Sequence, residues 1–223
     1  MRHFGELLLS LPKCIYFNFT VLPAKRAIRF PFIVSYRVKC IGVNRKTFIV
    51  DSEQISTASM RIGFGDSPNG YRDNQRGIIQ ITNGGSIKIG NDLGVSRGCV
   101  IIADNARLTI GNHFRCNYSC NIDCGNSDIT IGDDVVLGWH VNIRNDDGHY
   151  IVKEGIQESK TKPIIIGNKV WLCANTTVLK GVTLRNGSVV AYGALLTKTI
   201  DEENVLYGGV PAKVIQNNIE WKE

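Results

Sequence analysis

The chain of 223 residues is poor in proline, histidine and long apolar segments. It contains six prolines, four histidines and two methionines, and it has no run of eighteen apolar residues of the kind that spans a bilayer. It also lacks an apolar leader ending in a small-residue cleavage site, and this predicts a cytoplasmic location. The seven cysteines are an odd number without the spacing of a disulfide framework, so they favour a reducing compartment.

The sequence does contain a period of six residues. An aliphatic residue followed by Gly and a short polar residue recurs at Ile89, Ile110, Ile131 and Ile166. Neither an α-helix nor a flat sheet has this period, whereas in a hexapeptide solenoid each hexad forms one strand and one corner of a triangular coil. We expect the Gly and Asn that follow the aliphatic residue to supply the positive or unusual φ values of sharp corners. The predicted inward positions are Ile89, Val95, Ile101, Ile110, Cys116, Ile122, Ile131, Leu137, Ile143, Ile166, Leu172, Val178, Leu184, Val190 and Leu196.

The distances between equivalent positions predict where the coils are irregular. Ile89 to Ile110 and Ile110 to Ile131 are both 21 residues, three more than three hexads, so each coil has a small bulge at one corner. Ile131 to Ile166 is 35 residues, which adds 14 more and predicts an inserted loop at roughly residues 145–163. Insertions in repeat proteins map to functional faces more often than to the core.

The positive charge is concentrated near the N-terminus. Residues 1–50 hold nine Lys or Arg and one acid, a net charge of +8, whereas the whole chain carries +6. Apolar residues are interleaved with these charges, and residues 7–11 are expected to begin a short amphipathic helix. The segment could cap the open end of the solenoid, lie on an anionic membrane or bind nucleic acid, but no nucleic-acid module accompanies it, so we predict no such partner. We divide the chain into a capping segment at residues 1–60, a solenoid domain at 61–202 and a C-terminal extension at 203–223.

Three cysteines have a spacing that needs a separate interpretation. Cys116, Cys120 and Cys124 are four residues apart, which on a helix would suggest a metal site. In the hexad register, however, Cys116 takes an inward aliphatic position, Cys120 a small inward position, and Cys99 the equivalent small position one coil earlier. We therefore prefer stacked core cysteines and predict no metal.

Histidines at the coil surface are the main catalytic candidates. His149 lies at the start of the inserted loop, where a side chain off the core ladder can face a groove between neighbouring molecules. A near-neutral imidazole there could remove the proton of an attacking hydroxyl. His140 occupies a hexad surface position and is read as acceptor-facing or simply exposed, and His113 is read as a surface residue. Asn121 and Asp123 lie on the coil beneath the proposed site and are further acceptor candidates.

Several motifs resemble a known family. They are Trp139 to His149, Val170-Trp171 after Ile166-Gly167, and Gly208-Gly209-Val210-Pro211-Ala212-Lys213-Val214-Ile215. They resemble the acetyl-CoA-dependent O-acetyltransferases of the hexapeptide-repeat superfamily, close to those acting on sugars and in surface-polysaccharide biosynthesis. The resemblance covers roughly residues 85–220. It implies an all-β fold, a left-handed parallel β-helix, assembled as a homotrimer with acetyl-CoA between subunits.

The resemblance also implies roles for individual residues. His149 matches the general base, and Asp147 matches an acid that orients the imidazole or binds the acceptor. The residues matched to the donor site are Trp171 beside the pantetheine arm, Cys173 and Ala174 at the thioester, and Tyr192, Thr197, Lys198 and Lys213 along pantetheine and nucleotide. Three positions depart from the family pattern: Cys173 replaces a Gly, Tyr192 an Ala and Gln216 a basic residue.

The implied reaction is direct transfer of acetyl from acetyl-CoA to a hydroxyl of the acceptor. The acceptor is a sugar or an oligosaccharide, either free or lipid-linked. A backbone N–H near Cys173 or Ala174 would stabilise the oxyanion, and no covalent intermediate is needed. With a lipid-linked acceptor, the cytoplasmic location would include peripheral contact with the inner face of the membrane.

Two other function classes remain open at the level of sequence. A non-catalytic scaffold or degenerate transferase is suggested by Tyr192 and Gln216. A γ-class carbonic-anhydrase-like metalloenzyme would need three converging histidines. His113, His140 and His149 are three, but their spacings of 27 and 9 do not match that family's closely spaced pair.

Overall fold

The computed structural model describes residues 2–52, 55–65, 75–199 and 201–222, without the side chains of residues 2–4. The described part is a triangular solenoid of three parallel sheets, preceded by helices α1 (Arg2–Val21) and α2 (Ala24–Ala27). The first sheet contains β1 (Phe32–Val34), β4 (Met60–Ile62), β7 (Gly94–Val95), β10 (Arg115–Cys116), β13 (Val136–Leu137), β18 (Trp171–Leu172), β21 (Val189–Val190), β23 (Leu206–Gly209) and the antiparallel β24 (Ala212–Gln216).

The other two sheets complete each coil. The second sheet contains β2 (Lys39–Ile41), β5 (Ile78–Thr82), β8 (Val100–Asp104), β11 (Asn121–Gly125), β14 (Asn142–Arg144), β19 (Thr177–Val178) and β22 (Leu195–Leu196). The third sheet contains β3 (Phe48–Val50), β6 (Ser86–Ile89), β9 (Arg107–Ile110), β12 (Ile129–Ile131), β17 (Ile164–Ile166) and β20 (Thr183–Leu184). We call the turn from the first to the second sheet the first corner, the next the second corner, and the return to the first sheet the third corner.

The hexad register is confirmed by burial. None of the predicted inward side chains from Ile89 to Leu196 is more than 5 % exposed. Strands of successive coils pair in parallel register, so that Ile110 lies between Ile89 and Ile131 in one ladder. Each such aliphatic side chain contributes about 1.5–3 kcal/mol by leaving water. The narrow interior is filled by these ladders.

The glycines after the aliphatic residues are needed for space, so the expectation that they supply positive φ was wrong. A Cβ on Gly111 would lie 2.3 Å from Oδ1 of Asp133 in the next coil. That oxygen accepts a hydrogen bond from the N–H of Asn112 at 2.6 Å, and the same contact recurs in neighbouring coils. The positive φ falls two residues after the glycine, for example at His113 (53°) and Lys169 (53°).

Helix α1 covers the open end of the solenoid. The ring of Phe17 packs edge-on against Phe32 at 5.1 Å and Phe48 at 5.5 Å, inside the first coil. The side chain of Asn18 donates to the carbonyl of Phe32 at 2.8 Å and accepts from its N–H at 3.1 Å, which pairs the free edge of β1. The helix is thus much longer than the one expected at residues 7–11.

The strand ladder extends beyond the limits drawn from sequence. β1, β2 and β3 form a full coil within residues 32–50, in the segment assigned to the cap. At the other end, β23 continues the first sheet within residues 203–223, and antiparallel β24 ends the ladder. The first coil escaped the sequence analysis because its strands do not carry the aliphatic-Gly-polar signature. The domain limits at residues 60 and 202 themselves remain predictions.

The buried cysteines form a different trio from the one suggested by spacing. The Sγ atoms of Cys99, Cys116 and Cys120 all lie within 4.8 Å of one another in the core. Cys99 and Cys120 each donate to a main-chain carbonyl 2.9 Å away. Cys124 is directed instead to carbonyls of the second corner, and burial raises the pKa of its thiol to about 12. The absence of a metal remains a prediction.

Candidate active site

The inserted loop leaves the solenoid at the second corner, where the regular coils have their three extra residues. Its base is closed by an antiparallel bridge between Asp146 and Thr161, and its tip is a hairpin of β15 (Val152–Lys153) and β16 (Ile156–Gln157). The N–H of Gly148 donates to Oδ1 of Asp146 at 2.6 Å, which turns the chain immediately before His149. The loop base is therefore an ordered turn that presents His149.

Asp146 is held as a carboxylate in this turn. Burial raises the pKa of Asp146, but the hydrogen bonds from Gly148 and Asn126 and the positive charges of Lys160 and Arg144 outweigh that effect, so its pKa is lowered. Nδ2 of Asn126 is 3.2 Å from the carboxylate, and Nζ of Lys160 is 3.7 Å away. The fixed negative charge of Asp146 and its acceptor bonds keep the loop base closed.

Lys180 ties the loop to the following coil. Its ammonium donates to the carbonyl of Ser159 at 2.7 Å and forms an ion pair with the carboxylate of Asp147. Nothing in the one-dimensional pattern marks Lys180, because the contact joins a corner to a loop twenty residues earlier. The sequence analysis missed it.

His149 is exposed and stands apart from Asp147. Within the described residues, no hydrogen bond or ion pair links the His149 imidazole to another group, and the Asp147 carboxylate is directed to Lys180. In the isolated chain, no contact between Asp147 and the His149 imidazole therefore supports the predicted role of Asp147 in orienting it. Its alternative role in binding the acceptor remains a prediction.

The outward face of the second sheet next to the loop is polar. Asn121 and Asp123 on β11 pair in register with Asn142 and Arg144 on β14. Nδ2 of Asn121 donates to Oδ1 of Asn142 at 3.1 Å, and Nε of Arg144 lies 3.5 Å from the carboxylate of Asp123. The two acceptor candidates thus lie on the coil beneath β14, as expected, and Arg144 joins them as a residue the sequence analysis did not single out.

The predicted thioester position lies at the first corner, where the strands of the second sheet begin, whereas the loop lies where they end. A Cβ on Gly138 would lie 2.5 Å from the nitrogen of Ala174, so only glycine leaves room for this turn of the next coil. The N–H of Cys173 donates to the carbonyl of Val190 at 2.9 Å. Because that donor is used in the ladder, Ala174 is the remaining candidate for stabilising an oxyanion.

Tyr192 covers the same corner one coil further on. Its side chain is 71 % exposed, and its hydroxyl oxygen accepts a hydrogen bond from Nδ2 of Asn175 at 2.5 Å. Asn175, directly after Ala174, occupies the left-handed corner conformation with φ of 58°. Tyr192, which stands where the family pattern has an alanine, thus lies against the corner that contains Ala174 and Asn175.

Trp171 is supported by a residue of the C-terminal extension. The rings of Trp171 and Trp221 are 6.1 Å apart and tilted by 46°, and Nε1 of Trp221 donates to the carbonyl of Lys169 at 2.8 Å. Trp171 is 39 % exposed, so one side of its ring remains open. Trp221 was not expected from sequence, because it lies fifty residues away and outside the repeat.

The remaining donor candidates are dispersed. Thr197 and Lys198 are exposed at the second corner of the last coil, whereas Trp171 lies on β18 and Cys173 and Ala174 lie at the first corner of the preceding coil. Lys213 lies on β24 and is exposed there, together with Gln216. A single chain therefore does not gather all the predicted donor residues at one edge.

The three surface histidines occupy three different corners. His113 lies at the third corner, where Nδ1 is 3.0 Å from Oδ1 of Asp134. His140 lies at the first corner with φ of 54°, in the position that Asn175 takes one coil later, and His149 lies at the second. One chain does not bring these histidines together.

In the part of the chain that the structure describes, no helix is long and apolar enough to cross a membrane.

Comparisons with known proteins find acetyltransferases. The chain is 40 % identical over 68 residues to the galactoside O-acetyltransferase of Escherichia coli K12, a match covering 30 % of this chain and 32 % of that protein. It is 34 % identical over 90 residues to the polysialic acid O-acetyltransferase of Neisseria meningitidis, covering 40 % and 42 %. The chain thus spans less than half the length of these curated relatives, and no family model matches it. The resemblance seen in the motifs is confirmed by these relatives.

Solved structures show the same fold. The polySia-specific acetyltransferase NeuO superposes with a TM-score of 0.59 at 22 % identity, covering 86 % of this chain and 89 % of that one. The N-acyltransferase AntD of Bacillus cereus, determined with dTDP and coenzyme A, gives a TM-score of 0.50 at 15 % identity, covering 84 % and 81 %. The predicted fold class, a left-handed parallel β-helix of hexapeptide repeats, is confirmed.

Proposed function

We propose that this chain, a relative of the hexapeptide-repeat O-acetyltransferases, moves an acetyl group from acetyl-CoA to a hydroxyl of a sugar in a surface polysaccharide or its precursor. The observation that carries the proposal is that two candidate groups lie at opposite ends of the strands of one polar sheet. The ordered loop base with His149 lies at one end, and the Ala174 corner with Trp171 beside it lies at the other. The sugar and polysaccharide acetyltransferases among the relatives support the substrate class.

The chemistry requires one base and one oxyanion donor. The acceptor oxygen attacks the thioester carbonyl carbon while the imidazole of His149 takes the hydroxyl proton. The N–H of Ala174 stabilises the negative charge that develops on the carbonyl oxygen. As the bond from carbon to sulfur breaks, the proton passes from the imidazolium to the leaving CoA thiolate. The polar groups of Asn121, Asp123 and Arg144 bind acceptor hydroxyls in this arrangement.

The position of these two groups implies that the site is shared between chains. Strand β19 separates the Ala174 corner from the corner at which the His149 loop is anchored, a gap on the order of 10 Å or more. A general base acts within hydrogen-bond distance of its proton, roughly 3 Å. A neighbouring chain that turns its Ala174 corner toward the His149 loop closes this gap, and a cyclic homotrimer repeats that contact three times.

Thiol release from acetyl-CoA tests this function. We expect release to depend on an acceptor when the full chain is supplied with a panel of monosaccharides, nucleotide sugars and lipid-linked oligosaccharides. A His149→Ala variant supplies the blank for uncatalysed hydrolysis. Binding of CoA without transfer to any acceptor hydroxyl would favour the scaffold alternative, for which the supporting observation is that Tyr192 is bonded to Asn175 at the corner of the predicted thioester position.

A further inference from the structure

Helix α1 is apolar on the side turned away from the solenoid. Its packed side consists of Ser10, Cys14, Phe17, Asn18 and Val21, all of which are buried. At 100° per residue, the opposite side is occupied by large apolar side chains that are between 39 % and 65 % exposed. These residues are Leu8, Leu9, Leu11, Ile15, Tyr16 and Phe19. A helix with apolar residues all round is a buried helix in a globular protein, and half of this one is not covered by the residues of the chain that the structure describes.

The residues around this exposed face carry only positive charge. Residues 7–50 contain no Asp or Glu at all. The one acid of the helix, Glu6, faces the solenoid, where it pairs with Arg97 and accepts from the hydroxyl of Ser35. The outward side of α1 is therefore free of acidic groups.

Basic side chains lie at the C-terminal end of the face and in the segments that follow α1. Nη2 of Arg45 donates to the carbonyl of Phe19 at 3.0 Å, which places a cation at the C-terminal end of α1. Lys25, Arg29 and Lys46 are exposed in the adjoining segments.

We propose that the outward face of α1 is a membrane-docking surface that inserts Leu8, Leu11, Ile15 and Phe19 among the acyl chains of an anionic bilayer while the surrounding cations bind lipid phosphates. An anionic bilayer can bury the exposed apolar side chains of α1 and bind the surrounding cations at the same time. A second copy of this chain could only bury the apolar side chains, because it would bring the same cations face to face. The proposal goes beyond acetyl transfer and does not depend on it.

Sedimentation of the full chain with lipid vesicles tests this surface. We expect binding to vesicles of phosphatidylglycerol mixed with phosphatidylcholine, weaker binding to phosphatidylcholine alone, and loss of binding as salt is raised. Leu8→Glu with Ile15→Glu should weaken binding by about tenfold or more, because both side chains would have to carry charge into the apolar layer. Lys25→Ala and Lys46→Ala should each weaken binding to the anionic vesicles roughly fivefold.

Two controls keep the test independent of folding. Leu9→Ser with Tyr16→Ser alters only exposed side chains and should reduce binding with an unchanged circular dichroism spectrum. Ile156→Glu places the same charge on an exposed apolar position of the loop hairpin, 72 % exposed, and should leave binding intact. Absence of binding to anionic vesicles overturns the proposal, as does equal binding to neutral ones. A change in the oligomeric mass of Leu8→Glu with Ile15→Glu, without vesicle binding by the unaltered chain, would assign the face to a protein partner instead.

Discussion

The neighbouring main chain positions His149, and among the described residues no hydrogen bond or ion pair holds its imidazole. The turn closed by Asp146 and the ion pair of Asp147 with Lys180 fix the main chain on either side of the loop base, while the imidazole stays exposed. In the proposed site, a base with this freedom can turn toward the hydroxyl of an acceptor bound on the polar sheet while a neighbouring chain supplies the Ala174 corner. Its substitution should cost little stability, since no buried contact is lost.

The first prediction separates the roles of two histidines. His149→Ala should lower kcat by about a hundred- to ten-thousand-fold, the usual contribution of a general base, with CoA affinity unchanged. His140→Ala should act mainly through the acceptor KM. Steady-state kinetics and the donor Kd distinguish them. If His149→Ala keeps more than about a tenth of the kcat while His140→Ala is inactive, the base has been assigned to the wrong histidine.

The second prediction uses Cys173 as a reporter of donor binding. Burial raises the pKa of this half-buried thiol, so its alkylation should be slow at neutral pH and accelerate as the pH rises and the thiolate forms. CoA at the first corner should slow its alkylation several-fold. Cys40, also half-buried with a pKa raised by burial, is the matched control at the other end of the solenoid. Mass spectrometry after iodoacetamide treatment measures both sites, and equal rates at Cys173 with and without CoA would remove it from the donor groove.

At the scale of elements, the inserted loop and the C-terminal extension each make a long-range contact outside the strand ladder. The loop is fastened to the solenoid by Lys180, and the extension by Trp221 against Trp171. Neither contact lies in the hydrophobic ladder, so each can be altered without loss of the core.

The third prediction concerns the loop anchor. Lys180→Met should release the loop from Asp147 and Ser159, lowering kcat roughly ten- to a hundredfold through misplacement of His149. It should also make residues 145–163 more sensitive to limited proteolysis. Lys153→Met, on the exposed hairpin, is the control and should match the unaltered chain in both assays. Unchanged kinetics in Lys180→Met would show that the loop needs no such anchor.

The fourth prediction tests the aromatic pair. Trp171→Ala should raise the KM for acetyl-CoA several-fold more than it lowers kcat, because the indole is assigned to a part of CoA that does not react. Trp221→Ala should do the same by leaving Trp171 unsupported, and Lys198→Ala through loss of a charge near the nucleotide. Lys222→Ala removes a neighbouring charge outside the ring contact and serves as the control. A donor KM unaltered in Trp171→Ala and Trp221→Ala would place pantetheine elsewhere.

At the scale of the whole molecule, the proposed site is incomplete in one chain. In the proposed site, the two ends of the second-sheet strands carry different parts of the chemistry, and the proposal needs a neighbouring copy to bring them together. The described fold alone does not contain that contact, so assembly and activity should be inseparable.

The fifth prediction therefore combines mass with complementation. Light scattering at micromolar concentration should give the mass of a trimer, and a monomer would contradict the shared site. Co-expressed His149→Ala and Trp171→Ala chains, assayed at low acetyl-CoA, should recover about a quarter of the unaltered rate, because random mixing completes that fraction of the interfaces. No recovery above the sum of the separate variants would indicate that each chain holds a whole site.

The repeat itself was readable from the sequence because its physics is local. A hexad with an inward aliphatic residue can satisfy only one packing, so the register from Ile89 to Leu196, the bulged corner and the loop at residues 145–163 followed from counting. The family motifs likewise gave His149, Trp171 and Ala174 as separate positions. The coil at residues 32–50 was not readable, since its strands lack the repeated glycine and rest on the long helix α1.

Contacts between distant segments were decided only by the tertiary structure. Lys180 contacts the loop and Trp221 contacts Trp171, because folding brings together residues that no period relates. The tertiary structure also explains the glycine that follows the third-sheet strand in successive coils: it makes room for the Asn or Asp of the next coil, a requirement that exists only once coils are stacked. Local spacing determined the coil, and the packing of coils against one another determined which side chains meet.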